Sequence, residues 1–252
     1  MEHLNKSREQ YLWTEAYRPR TIADCVLPET LKRTFQGYVD SGKIPNILLT
    51  GSAGVGKTTV AKAMCDMLGS DLLIINASDE GRLIETLRNQ IQAFASAVSF
   101  GAGRKYVLLD EADYLNPNTV QPALRQFMET FAKNCGFILT CNFKNRLIEP
   151  LHSRCSVIEF QIPSSERPAL ARQFHGRLMA ILKQEGISAE PQIIAELVTK
   201  YFPDFRRALN ELQSAASDGN SVISPAILGA AHDEIYKELV AAITRKNFST
   251  AR

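Results

Sequence analysis

Within nine residues, Gly51-Ser52-Ala53-Gly54-Val55-Gly56-Lys57-Thr58-Thr59 places three glycines, a lysine and three hydroxyls around the spacing G-x-x-x-x-G-K-[ST]. That spacing suits a triphosphate, because several backbone N–H groups must point inward and a Cβ would obstruct so tight a wrap. Lys57 is placed to reach the β- and γ-phosphates and the Thr58 hydroxyl to bind Mg²⁺. A second chemical pair, Asp110-Glu111, ends the apolar run Tyr106-Val107-Leu108-Leu109. Asp110 is suited to hold Mg²⁺, directly or through water, and Glu111 to orient or deprotonate a water that attacks the γ-phosphate. Asn142 follows the run Gly136 to Cys141. An amide there can touch the γ-phosphate or its water, and the same residue type is common in turns.

These groups need elements that converge. Asn46 to Thr50 reads as a buried strand ahead of the glycine loop. Val60 to Leu68 reads as the helix behind it, with Ala61, Met64 and Leu68 on one face and Gly69 as its stop. Leu31 to Val39 reads as an earlier helix. Asp71 to Asn76 reads as a second buried strand, and Arg82 to Phe100 as a helix with Leu83, Leu87, Ile91, Phe94 and Ala95 inward. Pro117 to Phe131 is a further helix, and Val157 to Phe160 a last short strand. Five strands alternating with helices predict an α/β fold, a five-stranded parallel sheet wrapped by helices, with ligands at the carboxyl ends of its strands.

Gln161 to Ser165 reads as a hinge, and beyond it the pattern becomes helical only. Leu170, Phe174, Leu178 and Leu182 make one stripe, Ile193, Ile194, Leu197 and Val198 a second, and Leu209 and Leu212 a third. The expected domains are 1–162, an α/β nucleotide-binding domain with an N-terminal arm; 163–230, a small all-helical lid; and 231–252, the start of a C-terminal helix. In that last helix Ile235, Leu239, Val240 and Ile243 form a stripe with nothing left to pack on, which implies missing residues or a partner. Phe205-Arg206-Arg207 opens a helix. An arginine there can swing over a nucleotide if the lid closes, or stay solvated.

The composition is 45% hydrophobic and 22% charged, ordinary for a globular protein. A net charge of +2 is too mild to imply nucleic-acid binding by itself. The five cysteines are scattered with no C-x-x-C, which argues against zinc and disulfides and for a reducing compartment. No apolar run is long enough to span a bilayer, so a cytoplasmic protein is expected. Trp13 to Pro19 carries two aromatics and an arginine. It can frame an adenine, or be a surface arm whose Tyr17 packs on a core.

Taken together, these stretches resemble the AAA+ ATPase portion of sliding-clamp-loader subunits. The chain is similar to the small subunits of replication factor C and most of all to the large, ATPase subunit of T-even-type phage loaders. The resemblance runs from Tyr17 to about Leu212. It rests on Tyr17-Arg18-Pro19, the loop at Gly51 to Thr59, Asn76-Ala77-Ser78-Asp79, Leu109-Asp110-Glu111-Ala112-Asp113, Gln121 with Ala123-Leu124-Arg125 and Glu129, Asn142, Ser153-Arg154-Cys155, and Pro203-Asp204-Phe205-Arg206.

The resemblance implies an ATP hydrolase that uses ATP and Mg²⁺, with nucleotide held by Gly51, Ser52, Gly54, Val55, Gly56, Lys57, Thr58 and Thr59 and metal by Thr58 and Asp110. Tyr17, Arg18 and Pro19 would line the adenine, Asn142 would be sensor 1 and Arg206 sensor 2. Asn76 would hold Glu111 inactive until DNA binds, and Gln121 would couple the site to neighbouring elements. Arg154 would be an arginine finger acting on the adjacent subunit, worth roughly 10³ to 10⁵ in rate. Arg82 and Arg88 would touch the DNA backbone. The implied partners are a sliding clamp, gripped near Gly101 to Arg104 and Asn116 to Gln121, other loader subunits in a pentameric ring, and primer-template DNA. No zinc module is expected.

The phosphate loop departs from the family's usual Gly-Pro-Pro-Gly-Thr-Gly-Lys at positions that contribute backbone. Asp79-Glu80-Gly81-Arg82 replaces the usual Asp-Glu-Arg-Gly and shifts the register of the DNA-contacting arginines. The collar that joins five subunits is expected to be absent after Arg252, through truncation or a ring that forms poorly. The competing readings are another AAA+ motor, such as a branch-migration ATPase or a remodeller, and a structural subunit that binds ATP without hydrolysing it. Ser153-Arg154-Cys155 speaks against the first, and intact Lys57, Asp110 and Glu111 against the second.

Overall fold

A computed structural model describes residues 11–78, 84–98, 104–217, 222–224 and 227. In chain order its elements are α1 (Trp13–Ala16), α2 (Glu29–Asp40), β1 (Ile47–Thr50), α3 (Lys57–Met67), β2 (Leu72–Asn76), α4 (Ile84–Ser96), β3 (Lys105–Asp110), α5 (Val120–Thr130), β4 (Cys135–Cys141), α6 (Glu149–His152), β5 (Ser156–Glu159), α7 (Arg167–Glu185), β6 (Ser188–Ala189), α8 (Pro191–Tyr201), α9 (Phe205–Ser217) and β7 (Val222–Ile223). The first five strands form one parallel sheet in the order β2-β3-β4-β1-β5.

Alternation along the strands divides the core. Val107 and Leu109 join Leu48, Phe137 and Leu139 on one face, under Leu87 and Ile91 of α4 and Leu124 and Met128 of α5. Tyr106 and Leu108 join Ile47, Leu49 and Ile138 on the other, under Phe35 of α2 and Val60 and Met64 of α3. With helices on both faces, the central strands must be apolar throughout. The sheet expected from the sequence is therefore the one observed.

The edges behave differently. β2 was expected to be buried, yet only Ile75 is; Ile74 is 42% exposed. The apolar run marks a strand, but a position at the end of the sheet order leaves one side uncovered.

The chain divides into two compact units, Arg18–Leu170 and a second that joins Met1–Tyr17 to Ala171–Arg252. The N-terminal arm, expected with the α/β domain, falls with the helices. Trp13 and Tyr17 are buried, the Trp13 N–H donates to Gln213 Oε1 at 2.9 Å, and Arg177 donates to the Tyr17 carbonyl at 2.8 Å. In the same unit Phe174 and Phe202 pack on Phe205, with ring centroids 4.7 and 5.7 Å away. The expected all-helical pattern is interrupted by a two-residue parallel pair, β6 with β7. The expected helix over 231–252 lies outside the described residues.

Gly136 of β4 stands opposite Tyr106 of β3, whose buried hydroxyl accepts the Ile44 N–H at 2.9 Å. A Cβ on Gly136 would fall 2.6 Å from the Tyr106 ring. A glycine here lets a large ring lie against the neighbouring strand. Gly136→Ala is expected to destabilise the protein by about 2 kcal/mol, as overpacking does, read as a lower urea midpoint with an unchanged slope.

Candidate functional site

The carboxyl ends of β1, β3 and β4 bring the chemical residues together. α3 begins with Gly56 at φ 95°, a left-handed conformation that suits glycine, and no side chain caps its first turn. Its free N–H groups and the positive end of its dipole therefore face the loop. Gly51 is required for a different reason: a Cβ there would come within 2.9 Å of Phe160. Ser52 is exposed, whereas Val55 is 4% exposed and packs in the core beneath the loop, so it can offer a ligand only backbone.

Lys57 is 8% exposed, and its ammonium donates to the carbonyls of Gly51 and Ser52, each at 2.8 Å, and to Asn142 Oδ1 at 2.9 Å. The last contact joins the phosphate loop to the tip of β4. Thr58 Oγ1 donates to Asp110 Oδ1 at 2.7 Å, and Thr140 Oγ1 donates to the same oxygen. A hydroxyl and a carboxylate that close are the hard oxygen donors Mg²⁺ takes, usually keeping several waters and the phosphates as its other ligands. The residues thus fit a magnesium nucleotide.

Glu111 has φ 57° and ψ 41°, the one non-glycine with positive φ among the described residues. Holding a side chain there costs of order 1 to 3 kcal/mol and needs surrounding support. Support comes from Thr140, whose Oγ1 accepts the Glu111 N–H at 3.1 Å. Asp113 fastens the neighbouring tip of β4. It is 5% exposed, and its Oδ2 accepts the N–H groups of Asn142 and Phe143 at 3.4 and 3.2 Å. Sequence reading gave neither Thr140 nor Asp113 a role. Asp113 is three residues past Asp110 and carried a signal, since an acid so close behind a buried strand has to find buried partners.

Gln121 is fully buried. Its amide nitrogen donates to the carbonyls of Leu115 at 2.9 Å and Arg146 at 3.0 Å, and its oxygen accepts the Ile148 N–H at 2.8 Å. One side chain thereby ties α5 to the segment after β3 and to the loop that follows Asn142. Burial also removes Gln121 from any clamp-facing surface. Asn116, Pro117, Asn118 and Thr119 are exposed, and Gly101 to Gly103 lie outside the described residues.

The other expected residues have separate partners. Asn76 stands opposite Asp110 in the β2–β3 register, but its Oδ1 accepts from the Ser78 N–H and hydroxyl at 3.1 and 2.9 Å, and no hydrogen bond joins it to Glu111 among the described residues. Arg18 donates to Thr59 Oγ1 at 3.3 Å, and Pro19 is half-buried. Tyr17 is 2% exposed, its hydroxyl donating to Glu185 in the helical unit. Of the two readings of this ring, packing describes it, because its faces are covered by protein. Burial and that carboxylate push its phenol well above the usual range. Arg206 is exposed on α9, and Arg88 is exposed on α4, while Arg82 lies outside the described residues. Arg154 bonds to Glu129 and to the Pro150 carbonyl. Burial raises the thiol of Cys65 to about 12 and that of Cys135 to about 11, so both stay protonated and inert near neutral pH.

The chain is similar to known proteins along most of its length. Residues 47–163 match the ATPase family associated with various cellular activities (AAA), and residues 166–229 match the sliding-clamp-loader large subunit, AAA+ ATPase lid domain. The sliding-clamp-loader large subunit of Enterobacteria phage T4 is 41% identical over 219 residues, 86% of this chain and 68% of that one. The replication factor C small subunit of Archaeoglobus fulgidus is 37% identical over 250 residues, 96% of this chain and 76% of the other. The chain spans about two thirds of the length of the phage relatives. A solved RuvB mutant of Thermotoga maritima superposes with a TM-score of 0.66 at 15% identity, covering 90% of this chain and 79% of that one, a likeness of fold alone.

Replacing Gln121 by leucine keeps its volume but strands two carbonyls and one N–H, each a loss of about 1 kcal/mol or more. Gln121→Leu is expected to lower unfolding free energy by about 3 kcal/mol in denaturant titration; a change below about 0.5 kcal/mol, the range of ordinary surface substitutions, would remove Gln121 as the tie between these loops.

Proposed function

The chain belongs to the sliding-clamp-loader family of AAA+ ATPases, and on that premise we propose that it is the ATP-hydrolysing subunit of a machine that opens a ring clamp and leaves it closed on primer-template DNA. ATP binding drives clamp opening and DNA engagement, and hydrolysis releases the clamp. The observation that carries this reading is the meeting of Lys57, Thr58, Asp110 and Asn142 through direct hydrogen bonds at the carboxyl edge of the sheet. The domain division at the hinge after residue 162, with a lid over 163–230 and a collar-directed segment beyond, is part of the same proposal.

Each residue then has a physical task. The loop N–H groups and the first turn of α3 hold the phosphates, Lys57 balances their charge, and Arg18 and Pro19 lie toward the base. Thr58 and Asp110 would hold Mg²⁺, which when bound neutralises charge that develops on the transferring phosphoryl group. Glu111 orients the attacking water and accepts its proton, and Asn142 fixes that water or the γ-phosphate. Arg206 answers to bound nucleotide from the lid. Arg154 serves the neighbouring subunit, stabilising charge there. Asn76 restrains Glu111 until DNA is bound, and Gln121 transmits the change. Arg82 and Arg88 touch DNA phosphates, reading shape rather than sequence. The clamp, the other subunits of a pentameric ring and a cytoplasmic setting complete the proposal.

RuvB shares the fold, but the lid match and the clamp-loader relatives favour loading over branch migration. The test is steady-state ATPase of the full chain with its partner subunits, with and without clamp and primer-template DNA. Stimulation that needs both clamp and DNA is expected, and turnover indifferent to them would overturn the reading. Glu111→Gln should retain nucleotide affinity and lose turnover; persistence of turnover removes Glu111 as the base. Arg154→Ala should lower turnover of the assembled complex about 10³-fold and leave the slow isolated chain nearly unchanged.

A further inference from the structure

Arg154 is gripped by its own chain along one edge. Its Nε donates to Glu129 Oε1 at 2.9 Å, its Nη2 donates to the same oxygen, and its Nη1 donates to the Pro150 carbonyl at 3.0 Å. Ser153 Oγ lies 3.5 Å from Nη1, at the outer limit of a hydrogen bond. We propose that Glu129 is a positioning residue for Arg154, holding the side of the guanidinium so that its outer end is presented to the phosphate site of a neighbouring subunit. The proposal rests on the reading that Arg154 acts in trans.

A guanidinium carries five N–H groups in a rigid planar fork. Glu129 takes two and Pro150 one, and Ser153 Oγ draws a fourth only at 3.5 Å, so among the described residues the outer end keeps one open N–H on Nη2 and one loosely held N–H on Nη1. Two parallel donors are what a phosphate takes bidentately from arginine. The pair is accessible, with the Arg154 side chain 32% exposed and that of Glu129 53%. Hydrogen bonding and charge from Arg154, with a smaller contribution from Arg125, hold the Glu129 carboxyl below its usual range, so the grip persists at neutral pH.

The grip also completes a longer arrangement. The segment from Arg146 to Arg154 is tied to α5 at both ends: Gln121 holds Arg146 and Ile148, and Glu129 holds Arg154. Without Glu129, a long side chain at the end of a short helix would search its rotamers before each productive encounter. That loss falls on the chemical step and not on nucleotide affinity.

The test is ATPase of the full chain in the assembled complex, with clamp and primer-template DNA, for Glu129→Ala, Glu129→Gln, Arg154→Ala and the double variant Glu129→Ala with Arg154→Ala. Glu129→Ala is expected to lower kcat about tenfold with KM for ATP unchanged, and to have no effect on the isolated chain. Glu129→Gln, which keeps one acceptor oxygen, should fall between it and wild type. Added to Arg154→Ala, Glu129→Ala should cost nothing more. If Arg154→Ala slows the complex and both Glu129 variants do not, the positioning role is wrong and the trans reading stands. Further loss on the Arg154→Ala background, or an equal loss in the isolated chain, makes Glu129 merely structural and overturns the proposal, as does any rise in kcat. If Arg154→Ala itself leaves the complex unslowed, the trans reading fails and this one with it.

Discussion

A single oxygen, Asp110 Oδ1, accepts hydrogen bonds from Thr58 at the start of α3 and from Thr140 near the end of β4. The three residues come from three elements with no other reason to finish at the same depth. Sheet register supplies that reason: β1 pairs with β4 and β4 with β3, so the glycine loop, Asp110 and Asn142 all leave neighbouring strands at the same end. A charge-assisted hydrogen bond of this kind is about twice as strong as a neutral one.

The constraint extends to the next residue. On an extended strand, successive side chains leave from opposite faces, so a straight continuation would part Glu111 from Asp110. The left-handed backbone at Glu111 breaks that alternation, and the second role of Thr140, accepting the Glu111 N–H, helps hold it. Thr140 therefore holds Asp110 and Glu111 together. A strained backbone of this kind survives only where its neighbours over-determine it.

What could be read in advance follows from range. The glycine loop, the strand that ends in Asp110-Glu111 and the alternation of β and α were legible because each is local: spacing, periodicity and strand length depend on neighbours in sequence. Side chains whose meaning lies in distant partners were not. Gln121 is an ordinary helical glutamine until its three partners at Leu115, Arg146 and Ile148 are known. Asp113, close behind a buried strand, signalled that it needs buried partners, but not that they are the N–H groups at the tip of β4. Tyr17 had two readings because an aromatic beside a proline fits a base or a core equally well, and burial decided it. The exposure of β2 depended on sheet order, which no single strand encodes.

The location of these hidden partners is itself informative. Gln121, Glu129 and the Asp113 carboxylate all fasten the segment after β4, which carries Asn142 at one end and Arg154 at the other. Asn142 touches Lys57 of its own site, whereas Arg154 makes its contacts at Glu129 and Pro150. Gln121, Glu129 and Asp113 fasten the segment to α5 and to the turn after β3. If Arg154 acts on a neighbouring subunit as proposed, a shift at Asn142 on nucleotide binding would reach it through this fastened segment. The linkage needs no long pathway, only a stiff stretch of chain with a functional residue at each end.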